Sequence, residues 1–281
     1  MLFNTYIYLT KKIMKFNNCN VLITGGASGI GKIMGRIALE KGAKCLIIWD
    51  INEKNMVTTE SELSAYGKVK CYRVDVSNAD VIHETYTATV NDCGDIDILI
   101  NNAGVVTGNK TFDKIGTNEI DLLIRINTIG PMLVAREILP DMIKRGKGHI
   151  CNIASAGGML GNPKMSVYGA SKWAAIGWSE SVRIELQEEK SPVRITTIAP
   201  YYINTGMFNG VNSPIFPILD PEKTSAKIIR AIEKNKIFYG IPFGFHFIRF
   251  WQFILPFPLF DFIFGKVFGI YHTMDNFVGK K

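Results

Sequence analysis

Eight consecutive residues, Thr24-Gly25-Gly26-Ala27-Ser28-Gly29-Ile30-Gly31, constrain this chain more than any other stretch. They follow the apolar run Asn20–Thr24 (NVLIT) and open a segment of helical period, Lys32–Lys41. An apolar strand that passes through glycines directly into a helix is the first unit of a β-α-β fold. Gly25 lets the chain turn sharply, Gly29 presents no side chain to a ligand, and Gly31 lets the helix lie close to the sheet. The helix N-terminus then offers unpaired N–H groups and the positive end of its dipole. Together with Thr24, Ser28 and Ile30 this makes a seat for a pyrophosphate. The same glycines would also suit a tight turn that binds nothing.

Asp50 weighs against that second reading. It ends another apolar run, Lys44–Asp50 (KCLIIWD), 19 positions after Gly31. A carboxylate at this offset accepts hydrogen bonds from an adenosine ribose and repels a 2′-phosphate. Its neighbours Trp49 and Ile51 carry no positive charge, so the pattern favours NAD over NADP. Four more strand-like runs follow: Val69–Val74, Ile96–Ile100 (IDILI), Gly148–Ile153 (GHICNI) and Val193–Ala199 (VRITTIA), the last ended by Pro200. Helical periods cover Thr117–Arg145, with Pro131 and Pro140 as expected interruptions, then Val167–Glu189 and Lys223–Lys236. Near-continuous apolar strands separated by helices build a parallel sheet covered on both faces. The expected architecture is α/β: a Rossmann-type doubly wound parallel sheet of about seven strands with helices on both faces.

The chain has 281 residues and a formal net charge of +7. Its basic residues are scattered apart from Lys11, Lys12 and Lys15 near the start and Lys280 and Lys281 at the end, so no nucleic-acid surface is expected. Five cysteines without a C-x-x-C pair point to a reducing compartment, and four widely spaced histidines show no metal-ligand spacing. Residues 19–236 read as one catalytic domain. Residues 1–18 read as a leader. Its apolar stretch, Met1–Thr10, precedes its lysines, the reverse of a secretory signal, and is too short to span a bilayer. It is either a frayed leader, an upstream start with Met14 as the natural beginning, or a membrane anchor. The expected location is cytoplasmic, not secreted, with membrane association left open. Residues 237–281 form a Phe-rich extension that Arg249 and Asp261 keep short of a spanning helix. It serves as a wall of the substrate pocket, as a subunit contact, or as an element of a membrane interface.

With these features in order, the chain resembles the short-chain dehydrogenase/reductase family over roughly Asn20 to Met207. The motifs are the T-G-x-x-x-G-x-G turn at Thr24–Gly31, Asp75-Val76 after the third strand, and Asn101-Asn102-Ala103-Gly104 after the fourth. Asn127 follows on the next helix, then Ser155 and, thirteen residues later, Tyr168-x-x-x-Lys172. The resemblance implies a nicotinamide cofactor held by Thr24, Gly25, Ser28, Gly29, Ile30, Gly31, Asp50, Ile51, Asp75, Val76, Asn102, Ala103, Gly104, Tyr168, Lys172, Ile203 and Thr205. It implies Asn127, Ser155, Tyr168 and Lys172 as the catalytic set, with Asn127 holding a proton-relay water. The family's Pro-Gly after the sixth strand is here Pro200-Tyr201, which adds bulk beside the pocket. This departure, together with Thr205-Gly206-Met207-Phe208, is similar to the branch that acts on retinol and hydroxysteroids.

The chemistry implied is removal of a proton from an alcohol oxygen and a hydride from its carbon. A tyrosine base would have to fall from near 10 to near 7, about 4 kcal/mol. Lys172, one helical turn after Tyr168, shares its helix face and favours the phenolate, as does the helix N-terminus. Ser155 would orient the substrate oxygen. Ser155, Tyr168, Tyr201 and Met207 are the expected substrate contacts. The segment Tyr201–Leu219, with Met207, Phe208, Ile215 and Phe216, is the expected lid. An apolar lid implies an apolar alcohol: a steroid, a retinoid or a long chain. Reduction of small carbonyls at the same site, and nucleotide binding without turnover, are the alternatives. The segment Trp173–Glu189 is expected to pair with its mate in a homodimer or homotetramer.

Overall fold

A computed structural model describes residues 14–213 and 216–279. The leader residues 1–13, Ile215 of the expected lid, and the terminal Lys280 and Lys281 lie outside the described residues, as does the side chain of His246. In chain order the elements are β1 (Asn20–Thr24), α1 (Gly29–Glu40), β2 (Cys45–Asp50), α2 (Glu53–Leu63), β3 (Val69–Arg73), α3 (Ala79–Cys93), β4 (Ile98–Asn101), α4 (Thr117–Ile124), α5 (Gly130–Lys144), β5 (His149–Ile153), α6 (Ser166–Glu188), β6 (Arg194–Pro200), α7 (Pro221–Glu233) and β7 (Phe238–Ile241). The seven strands form one sheet in the order β3-β2-β1-β4-β5-β6-β7. Every strand pair is parallel. This is the expected doubly wound architecture. The chain reverses its direction of winding between β1 and β4, so the loops that leave these two strands part and open a crevice at their carboxyl ends.

Alternation along β1 explains how one strand serves two cores. Val21 and Ile23 pack with Met34 and Ala38 of α1 and with Ile228 and Ile232 of α7. Leu22, pointing the other way, packs with Ile82 of α3 and with Val134 and Ile138 of α5. All three β1 side chains are completely buried. Each contributes about 1.5–3 kcal/mol of apolar burial.

Two elements differ from the sequence expectation. The segment Thr117–Arg145 is not interrupted at its prolines. Pro131 falls where the preceding π-type turn passes into α5, and Pro140 lies inside the helix. The irregularity comes earlier, at Arg125–Ile129, which winds as a single π-type turn between α4 and α5 and carries Asn127. The Phe-rich segment also begins inside the sheet. Phe238–Ile241 is β7, in register with Thr197–Pro200 of β6. Its four residues carry no alternation that would separate them from the aromatic sequence that follows.

Beyond β7 the chain forms α8 (Ile248–Ile254) and α9 (Phe257–Phe260), then a π-type turn over Asp261–Val267. Phe245, Ile248, Phe260, Phe264 and Ile270 pack against Ala154, Leu160, Ala175 and Ile176 of the main domain. The other side of this segment exposes Phe243, Phe250, Phe253, Phe257 and Phe262. Among the described residues no helix is long and apolar enough to cross a membrane.

Candidate active site

The crevice is built first from the β1–α1 turn. Gly25 has φ +62°, and a Cβ there would stand 2.9 Å from Ala103 Cα. Gly31 is closed more tightly, since its Cβ would meet the Gly25 carbonyl at 2.3 Å and Asn102 Nδ2 at 2.7 Å. The sequence reading assigned Gly31 to close approach of helix and sheet; the close approach is to the turn itself. Gly29, at φ +53°, has nothing nearer to its missing Cβ than Thr205 at 3.8 Å, so a side chain there would project into the cleft. Thr24 and Asn102 fasten this turn to the loop after β4. Thr24 Oγ1 accepts from the N–H groups of Asn102 (3.0 Å) and Ala103 (3.1 Å). Asn102 Nδ2 donates to the carbonyls of Thr24 (3.1 Å) and Gly25 (3.0 Å).

The N-terminus of α1 is left open. Asn52, Asn78 and Asp220 each cap their helices through a side-chain oxygen, whereas Ser28 makes no such bond at the start of α1. Its first N–H groups and dipole end therefore face the cleft without a protein acceptor from that cap. An uncapped helix start beneath a glycine whose side chain would obstruct the space fits a pyrophosphate. Asp50 stands at the adjacent strand end. Its Oδ2 accepts from Ala27 N and its Oδ1 from Asn52 N, both at 3.0 Å. These bonds fix the carboxylate and leave each oxygen a further lone pair for a ligand hydroxyl. The sheet register sets Arg73 of β3 across from Asp50, a neighbour not evident along the chain. Arg73 Nε pairs with Glu53 at 3.1 Å on the exposed surface. Asp75 lies beyond β3 and is turned in by Ser77, whose N and Oγ donate to it at 2.9 and 2.7 Å.

The second half of the cleft comes from β5, α6 and β6. Ser155 follows β5, and its Oγ accepts from Gly157 N at 3.1 Å. Tyr168 and Lys172 lie one turn apart near the start of α6, both buried. Lys172 Nζ donates to the Ile153 carbonyl at 3.1 Å and stands 5.8 Å from the centroid of the Tyr168 ring. Burial pushes the Tyr168 phenol up to about 12, with a hydrogen bond to Ser155 opposing the rise. Burial also pushes Lys172 down to about 8. Without a ligand, desolvation outweighs the help expected from Lys172 and the helix N-terminus, and the phenol stays protonated at neutral pH.

Asn127 is buried and fully engaged. Its Oδ1 accepts from Val105 N at 2.8 Å, and its Nδ2 donates to Val105 O at 2.9 Å and to Ser171 Oγ at 3.2 Å. Ser171 Oγ donates in turn to the Tyr168 carbonyl at 2.7 Å. Asn127 therefore ties the loop after β4 to α6. It also stands beside Lys172: a Cβ on Gly104 would lie 3.2 Å from Asn127 Oδ1 and 3.5 Å from Lys172 Nζ.

One cleft is lined by Gly25, Ser28, Gly29, Ile30, Asp50, Ile51, Asp75, Val76, Asn102, Ala103, Gly104, Ser155, Tyr168, Lys172, Tyr201, Ile203, Thr205 and Met207. Thr24, Gly31 and Asn127 stand behind this lining and hold it. Sequence reasoning missed Val105, Ile126 and Ile153, which share the same walls; Phe208, expected in the lid, lines them as well. Phe208 meets the Tyr168 ring edge-on, with centroids 5.9 Å apart. A side pocket continues from Ser155 past Asn162, Tyr202, Phe245, Ile270 and Thr273. Asn162 Nδ2 joins Tyr202 Oη (3.0 Å) to Thr273 Oγ1 (2.8 Å), so the C-terminal segment helps to wall the site. Only a Phe-rich composition hinted at that wall. His149 and Cys151 lie buried within β5, as their strand positions suggested.

A family model described as short chain dehydrogenase matches residues 19–215. Epidermal retinol dehydrogenase 2 of Mus musculus is 33% identical over 93% of this chain and 85% of its own length. Estradiol 17-beta-dehydrogenase 11 of Homo sapiens is 30% identical over 89% of this chain and 83% of its own. Among solved structures, a short chain dehydrogenase/reductase from Burkholderia phymatum in complex with NAD superposes with a TM-score of 0.77. It is 24% identical over 84% of this chain and 94% of its own, a likeness of fold.

Proposed function

Because this chain belongs to the short-chain dehydrogenase family, we propose that it oxidises a lipophilic alcohol with NAD, using Ser155, Tyr168 and Lys172 at the reacting oxygen. It is an oxidoreductase of a family that acts on alcohol groups with a nicotinamide cofactor. The observation that carries the finer reading is a single cleft lined at one end by Gly29 and Asp50 and at the other by Ser155, Tyr168 and Lys172. A bound oxidised nicotinamide would take the hydride and bring positive charge beside the phenol. Ser155 would donate to the substrate oxygen and hold it against Tyr168. Tyr168 would take the hydroxyl proton, and Lys172, held at the Ile153 carbonyl, is the cation within reach of the phenolate. Asn127 would keep the loop after β4 and the catalytic helix in register.

NAD is proposed over NADP because two backbone N–H groups fix the Asp50 carboxylate at the end of β2, where an adenosine ribose would lie. A lipophilic substrate is proposed because the walls beyond Ser155 are Tyr201, Tyr202, Phe208 and Phe245. The retinol and estradiol dehydrogenase names of its relatives support the same class. We also propose that the exposed Phe side of the C-terminal segment meets a lipid surface; Phe253 is 89% and Phe257 77% exposed. Self-association through α6, which exposes Trp173 and Ile184, is proposed in the same spirit. NADH formation with retinol, sterols, long-chain and short alcohols tests the reading. Turnover confined to NADPH-driven reduction of small carbonyls would replace it, and NAD binding without any turnover would leave only a nucleotide binder.

A further inference from the structure

The C-terminal segment encloses a second cavity, of about 410 Å³, whose walls carry Phe216, Ile248, Trp251, Leu255, Ile263 and Phe264. That volume lies within the range of roughly 300–1,000 Å³ usual for small-molecule sites. None of these side chains is charged, and only the Trp251 indole carries a polar atom. The cavity is not isolated. Phe245 and Ile270 line both it and the side pocket that begins at Ser155. Phe245 is 2% exposed, stacks on Tyr201 with centroids 5.3 Å apart, and stands 5.3 Å from Phe216. Tyr201 in turn lines the cleft that holds Tyr168 and Lys172. Three spaces thus lie side by side outward from Tyr168 and Lys172: a cleft, a small side pocket carrying the polar Asn162 and Thr273, and a cavity walled by hydrocarbon and aromatic rings. Phe245 and Ile270 form the wall that the last two share, so a ligand spanning both must slip between or displace these two side chains, which a flexible chain does more readily than a fused ring system.

Resting on the dehydrogenase reading above, we propose that this outer cavity takes the hydrocarbon end of the substrate. The preferred alcohol is then a linear or isoprenoid chain whose hydroxyl lies at Ser155 and whose tail passes Phe245 and Ile270. An apolar chain has reason to enter, because each methylene removed from water raises kcat/KM about fourfold, the equivalent of about 0.8 kcal/mol. The wall residues Leu255 and Ile263 are half-buried, so an indole at either position fills the cavity from its rim without replacing a fully buried side chain.

The experiment measures kcat/KM with NAD for a ladder of straight-chain primary alcohols, using the full chain, Leu255→Trp and Ile263→Trp. In the unsubstituted protein kcat/KM climbs with chain length. In both variants the climb stops early, and the ratio of longest to shortest alcohol falls about tenfold or more. A second readout needs no turnover: displacement of a fluorescent long-chain fatty acid, cis-parinaric acid, by dodecanol. The probe binds the unsubstituted protein and binds both variants about tenfold more weakly. An unchanged chain-length slope together with unchanged probe binding overturns the proposal. Probe binding that the substitutions weaken, in a protein that oxidises no alcohol, upholds the cavity and overturns the dehydrogenase reading instead. Phe245→Leu thins this shared wall and is expected to raise kcat/KM for the longest alcohols. A loss there, in a variant with the thermal stability of the parent, also contradicts the proposed path.

Discussion

Lys172 Nζ bonds the Ile153 carbonyl at 3.1 Å while standing 5.8 Å from the Tyr168 ring centroid, so the lysine is anchored to β5 rather than to Tyr168. Two buried titratable groups therefore face one cleft, with desolvation displacing each toward its neutral form. The arrangement resists charge until a ligand supplies it.

That resistance gives a stability signature in the cofactor-free protein. Lys172 falls from 10.5 when solvated to about 8 in the folded protein. Between those values the unfolded chain holds more protons than the folded one, so this group makes stability rise with pH across that window. Tyr168 acts oppositely but only above 10, where its solvated phenol begins to ionise while the buried one, at about 12, does not. From pH 8 to 10 the lysine acts alone of the two. The Tm of the parent should rise relative to Lys172→Met across this interval. Parallel curves would show that Lys172 is not held neutral by burial.

Asp50 links cofactor choice to the turn itself. Asp50→Ala is expected to weaken NAD binding about tenfold, the loss of roughly one hydrogen bond to a charged group, and to narrow the preference for NAD over NADP. Asp50→Asn separates the causes, since it keeps one acceptor for Ala27 N or Asn52 N while removing the charge. Calorimetric titration of both variants with both cofactors checks this. An unchanged NAD/NADP ratio would move the source of selectivity elsewhere, with Arg73 the first residue to examine.

Asn127 pairs both backbone groups of Val105 with its one side chain. Asn127→Ala leaves a part-buried N–H and C=O of Val105 unpaired and should cost about 1 kcal/mol or more. Urea unfolding should give a lower midpoint with an unchanged slope. A shift equivalent to less than about 0.5 kcal/mol, the range of ordinary surface substitutions, would mean that Asn127 is not a structural clamp.

The proposed lipid contact is tested without cutting the chain. Removing residues 237–281 would delete β7 and the Phe245 and Ile270 walls, so its failure would be uninformative. Phe253→Ser with Phe257→Ser changes only exposed rings. Flotation with phosphatidylcholine vesicles should fall markedly in this double variant, while its Tm stays within a few degrees of the parent. Equal flotation would remove the lipid contact.

The parts of the site legible in the sequence are those whose cause is local. Gly25 and Gly29 adopt positive φ within one turn, and Asp50 ends a strand marked by its own apolar run. Ser155 and Tyr168-x-x-x-Lys172 are recognisable from their order along the chain. The illegible parts depend on residues brought together from far apart. Asn162 reaches Thr273 across 111 positions, and Asn102 closes on Gly25 across 77. Asn127 was noticed, but its partner Val105 was not, because a backbone N–H and C=O have no sequence signature. β7 was hidden because four residues inside an aromatic segment carry no period of their own. Tyr168 and Lys172 were correctly placed side by side, yet the balance between their mutual charge and their burial depends on the whole cleft.

We propose Tyr168 as the proton acceptor in an NAD-dependent alcohol oxidation. The most direct test is Tyr168→Phe, followed by NADH absorbance with a long-chain alcohol and by fluorescence titration with NAD. The expected result is turnover reduced about 10²–10⁴-fold, the usual contribution of a general base, with NAD affinity within about twofold of the parent. A Tyr168→Phe protein that forms NADH at the parent rate would contradict the account.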